Sequence, residues 1–273
     1  MARLPTETLS SELKTLSPNF GESLKRTLKD IYRGRCIVAP ARATPPPSDP
    51  PQLSAARITI DIGNPETELL IPELFTPPFP GASPSDVFGS ILTSYTNKIT
   101  RFVHKRDAKQ FIVFAGAICS SRMLQWQYNP EAGWAFSYRN HVDSHENLMI
   151  TGRLEDTTIG NLFVVRTQDR VDLRALIAIL QCRRWSAEGF NTLVIATASE
   201  YVVRAVSWQL RIWLYYGWRC PTTGGVPDNS DLWEIFLSEL DKCYSEGLNV
   251  KIWQIPSRMT QKVNRAAWTA IEG

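Results

Sequence analysis

With 273 residues, 43% of them hydrophobic, the chain carries enough apolar material for a packed core and has room for one domain plus a long extension. Its net charge of +3 comes from 30 Lys/Arg against 27 Asp/Glu interleaved along the chain, which excludes a basic tail and gives no charge-based reason to expect nucleic acid. The longest apolar runs, such as Leu173 to Leu180, fall well short of the roughly 20 residues that cross a bilayer, so no membrane span is expected.

Glu7 and Glu12 precede any apolar run and argue against a secretory leader, which makes an intracellular location the expectation. Thr8 to Tyr32 suits one or two short helices, with Leu13, Leu16, Leu24 and Leu28 as the apolar stripe. Two proline-rich stretches follow, Ala39 to Pro51 and Pro72 to Pro84, where fixed φ and missing amide donors favour linkers or surface wraps. Between them Arg57 to Ile62 alternates polar and apolar residues at the period of a half-buried strand. Composition therefore divides the chain into an extension, 1–105, and a regular domain, 106–273.

In that domain Phe111 to Ile118, Gly133 to Tyr138 and Asn147 to Leu154 read as three strands of a meander. Val171, Leu173, Leu176, Ile177 and Leu180 mark a helix whose segment closes at Gly189. Thr192 to Ala196 is a buried strand leading into a helix from Ser199 to Tyr216. Asp231 to Ser245 is amphipathic, Val250 to Ile255 is a last strand and Thr260 to Ile271 a terminal helix. Helical spacing also points to Trp208, Trp213, Trp218 and Trp233 as core aromatics. The order β-β-β-α-β-α-α-β-α predicts an α/β domain with a mixed five-stranded sheet flanked by helices. Five cysteines, Cys36, Cys119, Cys182, Cys220 and Cys243, lie far apart without a Cys-x-x-Cys pair, so reduced thiols are expected and a zinc site is not.

Local sequence resembles the ribonuclease H family in register with that order, over about the last 165 residues. Phe114-Ala115-Gly116-Ala117 is similar to the family's first-strand ending, with Ala115 in place of an aspartate. Ala132 to Phe136 and Gly152 to Glu155 resemble the second and third strands of fungal members. Arg170-Val171-Asp172-Leu173-Arg174-Ala175 resembles Arg-Ala-Glu-Leu-Arg-Ala, which puts Asp172 where glutamate belongs. Ile195 to Val202 resembles a junction reading Thr-Asp-Ser-x-Tyr-Val, with Ala198 for the aspartate. Trp213, Tyr216-Gly217-Trp218 and Asn229-Ser230-Asp231-Leu232-Trp233 continue the pattern, and Val263 to Ala267 resembles Ala-Asp-Arg-Ala-Ala with Asn264 at the fourth carboxylate.

The resemblance implies a fold whose active members cut the RNA strand of RNA–DNA hybrids with two Mg²⁺ ions held by carboxylates. Ala115 and Ala198 have no side-chain oxygen, Asn264 is neutral, and Asp172 is one methylene shorter than glutamate. The loop Pro256 to Val263 lacks the histidine that assists turnover in many relatives; His104, His141 and His145 lie elsewhere. The expectation is a catalytically inactive protein that needs no metal cofactor. It would bind nucleic acid, RNA–DNA hybrid among the options, or a protein partner through the former active-site face. By the same resemblance Ser199, Asn229, Trp218 and Arg219 line the nucleic-acid surface. The alternative is an active ribonuclease H with a site rebuilt from nearby carboxylates such as Glu155, Glu200 or Asp231.

Overall fold

A computed structural model describes residues 57–60, 67–94, 99–120, 123–124, 127–128, 130–140, 147–157 and 163–272. The helices expected within Thr8 to Tyr32 and the first proline-rich stretch lie outside these residues, as do Cys36, His141 and His145. Leu53–Gly273 forms one compact unit.

Its centre is β6 (Asp107–Ser120), which pairs antiparallel with β9 (Glu131–Asn140), itself antiparallel to β10 (Asn147–Arg153). On the other side of β6 runs β11 (Thr192–Thr197), parallel, followed by β12 (Asn249–Gln254), also parallel. The unbroken apolar run of β6 is explained by burial on both faces. Phe111, Val113 and Ala115 join the main core, whereas Ile112 packs with Val194, Ala196 and Trp253 on the reverse side.

The expected sheet of five strands is widened to eight by residues from before position 105. β3 (Glu73–Leu74) pairs parallel with β12, so part of the second proline-rich stretch is a sheet edge rather than a wrap. Proline is tolerated there because an edge strand leaves one row of amides without a ladder partner. Pro84 also begins a short helix, α1 (Pro84–Val87), where Ser83 and Asp86 form a capping box. β4 (Phe88–Ser94) and β5 (Ile99–His104) then make a hairpin on β6. Two small ribbons, β1 (Arg57–Ile60) with β2 (Thr67–Leu70) and β7 (Met123–Leu124) with β8 (Gln127–Tyr128), lie outside the main sheet.

One edge of β6 is shared. Its C-terminal half, from Phe114, pairs with β9, while its N-terminal half pairs with β5 at Asp107 and Phe111. Where β5 and β9 part, the Arg101 guanidinium from β5 lies 5.0 Å from the Tyr138 ring of β9, and that of Arg183 lies 5.1 Å from the same ring. Glu188 accepts from Arg101 Nε at 2.9 Å and Nη2 at 3.0 Å and from Arg183 Nη1 at 2.7 Å. Burial would raise the Glu188 carboxyl, but these two guanidiniums hold it below its ordinary range.

The helices follow the expected order. α2 (Gln168–Cys182) starts at a Thr167 cap, whose Oγ1 accepts from Arg170 N at 3.2 Å. α3 (Glu200–Arg204) runs through a π turn (Ala205–Gln209) into α4 (Leu210–Tyr215). α5 (Ser230–Ser245) and α6 (Gln261–Glu272) complete the set. The π turn explains a departure from expectation. Buried residues run Val202, Ala205, Val206, then Leu210, Trp213 and Leu214, so one extra residue separates the two apolar groups. A wider turn absorbs it and keeps both groups on the core. Trp208 falls in that turn and points outward at 48% exposure, while Trp213, Trp218 and Trp233 are buried as expected.

Candidate functional site

The parallel register of β11 on β6 aligns Ala196 with Phe114, so Ala115 within β6 lies level with the end of β11, just before Ala198. Ala115 is buried there with its methyl in the main core. The next residue, Gly116, faces α6. A Cβ on it would meet Asn264 Oδ1 and lie 2.7 Å from Val263 Cγ2, so the absence of a side chain lets the start of α6 approach the strand. Asn264 Nδ2 donates to Thr260 Oγ1 at 3.3 Å one turn earlier.

Asp172 enters from α2. Gln168, four residues before it, bridges the helix to the strand: its Nε2 donates to Asp172 Oδ1 at 2.8 Å and to Ala117 O at 3.1 Å, and its Oε1 accepts from Cys119 N at 2.9 Å. Ser199 also hydrogen-bonds the Asp172 carboxyl. That serine caps α3 through a 3.3 Å bond from Val202 N, and Thr197 Oγ1 accepts from Ser199 N at 3.1 Å. Ala198 lies between these two anchored residues and is half-buried. Burial pushes the Asp172 carboxyl up to about 6, against the lowering effect of Ser199 and Gln168, and the Asp169 carboxylate adds to the rise.

Gly116, the residue after Ala115, thus lies against Asn264, and Ser199, the residue after Ala198, interacts with Asp172. Gln168 ties the Asp172 side to β6. Gln168 lies outside the motifs that carry the resemblance, although a Gln–Asp pair four apart ahead of an apolar helical run is a visible signal in the sequence.

A second polar network locks α2, α3 and α5 together. Arg170, with its side chain almost fully buried, donates from Nη1 to Asp231 Oδ1 at 2.9 Å and to Asn229 Oδ1 at 3.3 Å, and from Nη2 to Asp231 Oδ2 at 2.7 Å. The Tyr201 hydroxyl accepts from Asn229 Nδ2 at 3.2 Å and Trp233 Nε1 at 2.8 Å and donates to Asp228 O at 3.2 Å. Asn229 holds φ at 57°, a left-handed position that asparagine tolerates better than most residues. Both ends of its amide are therefore used inside the fold.

The four residues that resemblance assigns to nucleic acid have different settings. Ser199 and Asn229 belong to the two networks just described. Trp218 is in the core, and Arg219 is on an exposed turn where its Nη1 donates to Gly224 O at 3.1 Å. Of the carboxylates considered for a rebuilt site, Glu155 is paired with Arg174 at 2.8 Å and Asp231 with Arg170, while Glu200 is exposed in the first turn of α3. Among the described residues, no three His, Cys, Asp or Glu side chains are grouped so as to hold a metal ion.

No protein-family model and no curated protein matches the sequence. Solved structures do match. One is the foamy viral protease-reverse transcriptase in complex with dsDNA, at 13% identity over 59% of this chain and 92% of that one, with a TM-score of 0.43. LC9-RNase H1, a type 1 RNase H with the type 2 active-site motif, matches at 19% identity over 60% and 73% with a TM-score of 0.43. RNase H1 from the halophilic archaeon Halobacterium salinarum NRC-1 matches at 12% identity over 60% and 98%, TM-score 0.35. The structural neighbours are consistently ribonuclease H proteins and ribonuclease H domains. The sheet order β10-β9-β6-β11-β12, with the first three antiparallel and the rest parallel, is the mixed five-strand arrangement expected from the sequence.

Proposed function

We propose that this protein is a pseudonuclease: it binds nucleic acid, in particular RNA–DNA hybrid, on the face around Asp172 without cutting it. The observation that carries this reading is the state of Asp172. It brings the one carboxylate among the four positions that resemblance assigns to metal ligation, and that carboxylate already accepts from Gln168 and Ser199. A magnesium pair needs several anionic oxygens in near-octahedral array. Two methyl groups, a neutral amide and one internally bonded carboxyl do not fit it. In active members of the family it resembles, the metal pair activates water and stabilises the leaving oxygen.

The binding half of the proposal rests on the retained sheet and on the exposed Arg219. Hybrid duplexes are read mainly through backbone and sugar contacts, which require placed donors rather than catalytic acids. The segment before residue 105 does not close this face within the described residues. β4 and β5 join the opposite half of β6, and β3 lies outside β12.

The test is a labelled RNA–DNA hybrid incubated with purified protein in Mg²⁺ or Mn²⁺, read for both binding and product. Binding without metal-dependent cleavage is expected, and joint reversion by Ala115→Asp, Asp172→Glu, Ala198→Asp and Asn264→Asp should restore some hydrolysis. Cleavage by the natural chain that a chelator abolishes would overturn the proposal in favour of a rebuilt active site. Absence of hybrid binding would remove its binding half.

A further inference from the structure

The helix formed by α3, the π turn and α4 shows solvent an aromatic and basic ridge. Arg204, Trp208, Arg211 and Tyr215 are spaced four, three and four residues apart, which stacks them along one side of a helix. Trp208 is 48% exposed and Tyr215 67%, and Arg204 is exposed at the head of the ridge. Tyr215 is braced edge-on by Tyr216, with ring centroids 5.1 Å apart at 85°. Arg211 Nη1 donates to Ser207 O at 2.6 Å, which lays the guanidinium back along the helix toward the turn that carries Trp208. From Tyr201 to Pro227 the only charged side chains are Arg204, Arg211 and Arg219, with no carboxylate among them. Asp169, from α2, lies close enough to Arg204 for that charge to favour its carboxylate.

We propose that this ridge is a second nucleic-acid contact, a stacking platform for single-stranded RNA or DNA, independent of the Asp172 face and of the reading given for it. Bases stack on exposed aromatic rings without regard to sequence, and guanidiniums supply both phosphate attraction and a planar stacking surface. Trp208 and Tyr215 are about 10 Å apart along the helix axis, the reach of about three stacked bases. A protein partner suits the ridge less well. An apolar interface would desolvate the arginines between the rings without supplying their counter-charge. A flexible polyanion with π faces satisfies both kinds of group.

The test uses the full chain with fluorescently labelled oligo(dT) and oligo(rU), measured by anisotropy and by quenching of tryptophan emission. Binding is expected to weaken with salt, and W208A/Y215A should lose about tenfold or more in affinity. W208F, which keeps an aromatic face, should retain most of it, and R211Q should flatten the salt dependence. Because Trp208 and Tyr215 are exposed, urea unfolding of the double variant should match the parent. If W208F loses affinity as fully as W208A, stacking is not the cause and the proposal fails. It also fails if the parent does not bind single strands, if W208A/Y215A binds them as the parent does, or if the ridge instead mediates self-association by sedimentation. A parallel titration with RNA–DNA hybrid separates the two faces: W208A/Y215A should leave hybrid binding at the Asp172 face unchanged.

Discussion

The two halves of β6 each hold a carboxylate in a partly buried setting, and they treat it in opposite ways. At the N-terminal half Glu188 is clamped by Arg101 and Arg183 and stays below its ordinary range. At the C-terminal half Asp172 has only neutral donors, Gln168 and Ser199, with Asp169 as a like charge, and rises to about 6. At Glu188 desolvation is outweighed by the guanidinium hydrogen bonds together with the charge that adds to them; at Asp172 two neutral donors do not outweigh it. A positive charge placed beside Asp172 would do at this end what the arginines do at the other.

The largest expected effect comes from removing the clamp. Glu188→Ala strands Arg101, whose side chain is 4% exposed, beside a second guanidinium. A loss of about 3 kcal/mol in urea unfolding is expected, at the lower end for a broken buried pair because Glu188 itself is partly exposed. A loss under about 1 kcal/mol would show that solvent already screens this end, and the contrast between the halves would break.

The second effect concerns pH. Asp172 has its pKa raised from an ordinary 3.8 to about 6, so the folded state holds that proton more tightly than the unfolded chain. Its favourable contribution is complete below about pH 4 and is lost as pH rises through about 6. Asp172→Asn should remove this dependence, making the variant the more stable protein at pH 7 by about 1 to 3 kcal/mol, with the gap closing toward pH 4. Urea midpoints of both proteins across that range measure it. A gap that widens toward acid would mean the carboxylate is favourably held after all.

Ser199→Ala is the smallest and sharpens the comparison most. It removes the α3 cap, at a cost of about 1 kcal/mol, and one donor to Asp172. The Asp172 titration, followed by NMR of its carboxyl, should move further up. An unmoved titration with lost stability would assign Ser199 to capping alone.

Much of the domain was legible before any coordinates. The central strand and β11 are continuous apolar runs of strand length bounded by polar residues, and the helices α2, α5 and α6 carry the apolar period of 3.6. Candidate site residues can be listed from motif spacing as well, because that spacing is a property of the chain. What they touch cannot: Gln168 gains its role from reaching Ala117 and Cys119 across the fold.

The sequence alone determined the strands and helices of the regular domain, and that Ala115 and Ala198 carry no side-chain oxygen. Tertiary structure decided the rest. It turned a proline-rich stretch into a sheet edge, because an edge asks for only half of a strand's hydrogen bonds. It turned Trp208 outward, because a five-residue turn kept its neighbours on the core. It also set the charge state of Asp172, because the proton affinity of a buried acid depends on what surrounds it and not on its place in the chain.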